Sequence, residues 1–294
     1  MAPVNTLLRC LLAILLLMVG APRLAADDGA STATLRVISL APSITEILFT
    51  LDAGDRVVGV TDFCRHPEQA AAKAKVGGLH DPRFEQMLLL RPDVVFHLPS
   101  NAPVVGRLRE RGIETIGVPS ETVADIRTAL RTIGARLGVE SSAAQAIAAM
   151  DAGLERVRVR TADHARPSVL FVVGHPPGVL REVYGAGPNT FLDELIAVAG
   201  GRNVLADSPV RYPVVARETL MRTPPDVVVE HKASGEPWSE RERETLRTLW
   251  LEYLGPAARG RTRVVFLDDP QVTVPGPSVV RHAESLAALL HPAQ

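Results

Sequence analysis

Cysteine is scarce in this chain: 294 residues contain two, Cys10 and Cys64. Cys10 falls in a leading segment expected to be removed, which leaves Cys64 alone and excludes an intramolecular disulfide. A lone thiol in an oxidising compartment is either sheltered as a small hydrophobe or put to use. The chain also lacks a Gly-x-Gly-x-x-Gly turn after a strand, a phosphate-binding loop and a Gly-x-Ser-x-Gly elbow, so three common enzyme chemistries have no support. No two histidines have the His-x-x-x-His spacing of a local metal site. Nor is there an excess of one charge. The chain carries 32 Lys and Arg against 33 Asp and Glu, and losing Arg9 and Arg23 with the leading segment leaves 30 against 33, which offers nothing to nucleic acid.

The leading segment has a recognisable order. Arg9 precedes the apolar run Cys10 to Val19, and Ala25-Ala26 then stand before Asp27-Asp28. That run is too short for a bilayer span, which needs about 20 apolar residues, and the pattern is that of a cleaved signal peptide over residues 1–26. A lipid anchor would need a cysteine just after the run, whereas Cys10 opens it. The expected product is exported, unanchored and periplasmic.

From Leu35 the chain alternates strand and helix. Strands are expected at 35–40, 56–60, 93–97 and 113–118, with helices from Ser43, where Ser43 and Glu46 have capping-box spacing, and from 123 to 137. Ser142 and Gln145 repeat that spacing, and Ile147, Met150, Leu154 and Val157 then form one stripe of an amphipathic helix, read as a connector. Alternation restarts beyond it, with strands at 168–173, 226–230 and 263–267 and helices at 191–199, 239–254 and 279–290. The fold class read from this is α/β, with two Rossmann-like lobes of mostly parallel sheet, 35–138 and 165–294, joined by one long backbone helix over 139–164.

One segment is written twice. "EQMLLLRPDVV" begins at Glu85 and "ETLMRTPPDVV" at Glu218, each a glutamate, a short apolar segment and Pro-Asp-Val-Val, 133 positions apart. Two lobes of similar construction explain the repeat; a common helix-to-strand junction met twice is the plainer account.

Open parallel sheets bind ligands outside the carboxyl ends of their strands. Five of the eight histidines, His66, His80, His97, His175 and His231, fall at such ends. Loop composition alone could put them there; a cleft for a metal chelate is the sharper reading. A thiol or metal-dependent hydrolase using Cys64 and a cleft histidine is the rival from another class, without an identifiable third group.

The segments "RVISLAPSITEILFTL", "VVGVTDFCRHP", "VGG" with "FEQMLLLRPDVV", "GAGPNTFLDELIAVAGGRNV" and "YPVVARETLMRTPPDVVV" follow one another along nearly the whole mature chain. In that order they resemble the helical-backbone periplasmic solute-binding proteins that serve ABC importers of cobalamin, haem and iron-siderophore complexes, closest to the cobalamin-binding branch. The resemblance implies a monomeric receptor without catalysis or a cofactor of its own, and with no nucleic-acid partner. It would capture a corrinoid, or alternatively haem or an iron-siderophore, and deliver it to the transmembrane subunits of an importer. It implies ligand walls at Phe63, Leu79, Leu98 and Tyr212, where leucine replaces two aromatic platforms. Polar contacts are expected from Ser43, His80 and His97, with His175 opposite them on the other lobe. It further implies that Glu85 and Glu218 dock onto arginines of the permease, and that closure on ligand is small.

Overall fold

The computed structural model describes residues 34–232 and 236–292, apart from the Ala102 side chain; the expected signal peptide at 1–26 lies outside them. The first half runs β1 (Val37–Ser39), α1 (Pro42–Thr50), β2 (Val57–Val60), α2 (Glu68–Ala71), β3 (Ala74–Lys75) and α3 (Phe84–Leu89). It continues with β4 (Val94–His97), α4 (Ala102–Glu110), β5 (Glu114–Gly117) and α5 (Val123–Leu137). After α6 (Glu140–Thr161) come β6 (Ser168–Gly174), β7 (Tyr184–Gly185), α7 (Phe191–Val198), β8 (Arg202–Asn203) and α8 (Arg217–Arg222). The chain closes with β9 (Val227–His231), α9 (Glu240–Leu254), β10 (Arg263–Leu267) and α10 (Val279–Leu290).

Two sheets result, ordered β3-β2-β1-β4-β5 and β10-β9-β6-β7, with β8 also on β6. Between these strands every pairing is parallel except β6 with β7. The fold class read from the sequence is therefore the observed one. Among the described residues, no helix is long and apolar enough to cross a membrane.

The repeated segment has a structural meaning in both sheets. Asp93 accepts the Arg36 N–H at 2.7 Å just before Val37 pairs with Val94. Asp226 accepts the Ser168 N–H at 2.8 Å and its hydroxyl at 2.7 Å just before Val169 pairs with Val227. Each aspartate satisfies the first backbone donor of the neighbouring strand, which starts before its ladder can supply a partner, and so sets the parallel register. The glutamates match as well: Glu85 and Glu218 are each the second residue of a six-residue helix, α3 and α8.

The halves share one core. A single cluster takes in Val94 and Phe96 from the first sheet, Val169, Phe171, Val227 and Val229 from the second, and the buried faces of α1, α5, α6, α7 and α10. Alternation along β4 and β9 sends Val95 and Val228 to two separate outer clusters. The stripe read from the sequence is buried as expected, with Ile147, Met150, Leu154 and Val157 all in the shared cluster, and α6, about 33 Å long at 1.5 Å per residue, packs on α5, α7 and α10. Small residues permit the close approaches: a Cβ at Gly134 would strike Ala143, and one at Gly153 would strike Val280.

Two expected helix starts are corrected. α1 begins at Pro42 with Ala41 as an unassisted N-cap, and Glu46 bonds to Ser278 in the other half instead of closing a capping box with Ser43. α6 begins at Glu140, ahead of Ser142, because Gly138 in the left-handed conformation (φ +67°) ends α5 and a single residue, Val139, makes the turn. Where no distant partner competes, the boxes form: Thr122 with Asp125, and Ser239 with Glu242.

Partial burial pushes the Asp226 carboxyl up, but the hydrogen bonds from Ser168 and Arg261 outweigh it and hold the group below the ordinary range. Its stabilising effect is therefore present above the unfolded pKa of about 3.9 and lost as pH falls through the lower folded value. Asp226→Ala should cost about 1–2 kcal/mol in urea unfolding at pH 7, towards the low end because the carboxylate is partly solvated, with the deficit shrinking below pH ~4.

Candidate functional site

Two loops at the carboxyl ends of the first sheet are held by buried polar or thiol anchors, Cys64 and Asn101. After β2, Cys64 is fully buried, its sulfur 3.1 Å from the hydroxyls of both Thr45 and Thr61, and its carbonyl accepts Lys75 Nζ at 3.0 Å. The adjacent Phe63 is 55% exposed. The thiol is the sheltered one of the two alternatives, and its partners are hydroxyls rather than an imidazole.

Leu79 and Leu98 sit on different loops that Asn101 ties together. Its amide donates to the Leu79 carbonyl at 2.7 Å and accepts the Leu98 N–H at 3.0 Å, while both leucines pack partly buried on the shared core. The turn before Leu79 needs glycine: Gly77 has φ +100°, and a side chain there would press on the Asp81 carbonyl and the Arg83 amide. Sequence reading missed Asn101, since a lone asparagine three residues from Leu98 carries no motif.

The histidines separate. His80 is exposed. His97 is 7% exposed; its Nδ1 donates to the Leu98 carbonyl at 2.8 Å, its ring lies against Gly117, and burial pushes its pKa down, so it is a neutral side chain packed on the sheet face shared with Val95. His175 lines a cavity of about 540 Å³ formed by the second half, beside Glu230, His231 and Trp238. Its Nδ1 donates to the Pro176 carbonyl at 2.9 Å and its Nε2 stands 3.4 Å from Glu230 Oε1, a carboxylate 2% exposed that also accepts the Trp250 indole N–H at 2.6 Å. That Glu230 contact raises the His175 pKa, and both ring nitrogens face acceptors. Ser43 is buried on α1.

Tyr212 lies where the halves meet. It is 38% exposed, and its hydroxyl donates to Glu121 Oε2 at 3.3 Å across the two halves, in a second cavity of about 540 Å³ shared with Pro188, Asn189 and Arg211. Burial first, then the Glu121 charge, push the phenol up to about 12. A larger cavity, about 1000 Å³, is a different space: it runs between α1 and α10 past Glu46, His66, Asp269 and Leu289, and none of the expected ligand residues lines it. Among the described residues, no group of three or more His, Cys, Asp or Glu could hold a metal ion.

A pair of parallel sheets, with anchored loops at their carboxyl ends and one core between them, defines a two-lobed α/β binding protein. The chain matches the periplasmic binding protein family over residues 37–243, and it belongs to that family, whose members are solute-binding proteins. It is 26% identical over 264 residues to an uncharacterized ABC transporter substrate-binding lipoprotein of Bacillus subtilis, covering 87% of this chain and 80% of the relative. To the vitamin B12-binding protein of Vibrio cholerae it is 29% identical over 217 residues, 71% and 76% of the two chains. A periplasmic haem-binding protein from Pseudomonas aeruginosa has a similar structure, with TM-score 0.75 and 26% identity over 88% of this chain and 93% of that one. The structure of the Vibrio cholerae vitamin B12-binding protein, at TM-score 0.70 and 22% identity over 87% and 96%, shares the fold.

Glu121→Gln should lower the Tyr212 phenol from about 12 without returning it to the ordinary ~10, because burial, the larger cause, remains. Ultraviolet titration in a background with Tyr184 and Tyr253 replaced by phenylalanine reads this directly.

Proposed function

We propose that this protein is the substrate-binding component of an ABC importer, capturing cobalamin or a related corrinoid between its halves in the periplasm and handing it to the permease. The observation that carries the reading is the doubled helix-strand unit, which presents one exposed glutamate from each half, Glu85 and Glu218, at the same helical position. A partner built of two similar transmembrane subunits calls for that arrangement. The ion pair of Glu85 with Arg107 at 3.2 Å is solvent-exposed on both sides, so exchanging it for an arginine of the permease costs little.

Phe63, Leu79, Leu98 and Tyr212 supply the apolar walls of the cleft in this reading, with Ser43, His80, His97 and His175 nearest the polar periphery of the ligand. Leucine at two wall positions still buries apolar surface, worth about 1.5–3 kcal/mol when fully covered, but forgoes the roughly 0.5–1.5 kcal/mol of ring stacking. The relatives named for vitamin B12 support a corrinoid. Haem is the second reading, favoured by the likeness to the Pseudomonas aeruginosa haem-binding protein. In that case axial ligation falls to His80, the exposed imidazole, since His97 is buried with its Nε2 enclosed and both ring nitrogens of His175 already face acceptors.

Calorimetric titration of the mature protein with cyanocobalamin should give saturable one-to-one binding at submicromolar concentration. No heat with cobalamin but a histidine-type spectrum with haemin moves the ligand to haem, and absence of binding by both refutes the corrinoid and haem readings alike. The Glu85→Lys/Glu218→Lys protein should bind ligand as the wild type does and fail to support uptake, and undiminished uptake would refute the docking role.

A further inference from the structure

Two contacts cross between the halves in matching fashion. Glu46 lies on α1, the first helix of the first half, and reaches the start of α10, the last helix of the second. The Ser278 N–H donates to its Oε1 at 2.6 Å and the Ser278 hydroxyl to its Oε2 at 3.1 Å. Glu194 lies on α7, the first helix of the second half, and reaches the start of α5, the last helix of the first, where it accepts the Val123 N–H at 3.1 Å. The sequences around them correspond, Thr-Glu-Ile-Leu at 45–48 and Asp-Glu-Leu-Ile at 193–196. Each half thus extends a glutamate from its first helix to the N-terminus of the other half's last helix.

The chemistry at both ends is the same. Helix N-termini carry N–H groups without partners inside the helix, and a carboxylate there is favoured by the dipole as well as by the hydrogen bond. Both carboxyls are pushed up by burial, a cost that an unbonded group would not repay. Arg281 and His282 of α10 face Glu46, with Asp269 3.2 Å from His282, while Arg127 and Asp125 of α5 face Glu194 beside Asp193. Gly276 leaves room for the first contact, since a Cβ there would collide with the Glu46 carboxylate.

The first of these contacts also lies where packing between the halves is open. Glu46 and Ser278 border the groove of about 1000 Å³ between α1 and α10. Near Glu194, the Phe191 N–H donates across to the Glu121 carbonyl at 2.6 Å, and Glu121 in turn holds Tyr212 beside the cavity of about 540 Å³. At these two edges the hydrogen bonds add directional ties to the apolar packing that joins the halves.

We propose that Glu46 and Glu194 are positioning residues forming a crossed pair of latches that holds the two sheets at a set separation before any ligand arrives. A ligand then meets walls already in place, a consequence that rests on the binding function proposed above; the latches themselves do not. Each lost latch should raise the open population about tenfold, the size of one charge-assisted hydrogen bond.

Spin labels at Ala72 and Arg259, exposed positions on opposite halves, give the distance distribution without ligand, so this test is independent of what the cleft binds. The wild type should show one narrow distance. Glu46→Ala/Glu194→Ala should show a broadened distribution with a longer component, and Glu46→Gln/Glu194→Gln, which keeps an acceptor oxygen at each site, should return to the narrow one. If the double alanine protein does not fold, as judged by circular dichroism, either single alanine variant should show partial broadening. A distribution as narrow as the wild type in every folded alanine variant overturns the proposal, and broadening in the Gln protein equal to that in the Ala protein assigns the effect to packing and overturns it as well.

Discussion

The inner faces of both sheets are buried against the same layer of helices, and this shared apolar core is the constraint from which the rest of the architecture follows. Phe96 and Phe171, on different sheets, belong to one cluster with Ile147 and Met150 of α6 between them in sequence. Each large side chain so covered contributes on the order of 1.5–3 kcal/mol, and pulling the halves apart would return that surface to water. Large hinge motions are therefore costly, whereas the loops at the carboxyl ends of the strands stay free of the core and can be spent on recognition. Stiffness and binding are thus consequences of one packing arrangement.

Those loops are held from beneath. Cys64, Asn101 and Glu121 each bond into the scaffold and present a neighbour or partner, respectively Phe63, the two leucines at 79 and 98, and Tyr212. A polar or thiol anchor with satisfied hydrogen bonds fixes the side chain beside it more tightly than the loop backbone could. Glu85 and Glu218 lie on short helices of their own, α3 and α8, and line none of the cavities described above.

Much of this was legible in the sequence because it is local. Period-two and continuous apolar runs located the seven longer strands, and the stripe at 147, 150, 154 and 157 located the buried face of α6. The doubled Pro-Asp-Val-Val pointed to two similar halves, and its aspartates prove to have the same bonding role in each. What escaped is short or long-range. The two-residue strands β3, β7 and β8 have no periodicity to read, and α4, with two arginines and a glutamate among nine residues, carries only a weak apolar pattern. Glu46 has the spacing of a local cap, yet its partner is 232 positions away, and nothing near it in sequence announces that. His175 was expected to face the other half, but its commitment to Glu230 depends on a strand 55 residues further on.

A crystal structure of the mature protein with cyanocobalamin tests the central claim most directly. Density for the corrin ring between the carboxyl ends of the two sheets, against Phe63, Leu79, Leu98 and Tyr212, with the sheets at the separation of the unliganded protein, is the predicted result. Corrinoid density in the groove between α1 and α10, or between sheets that have swung apart to admit it, would contradict the account.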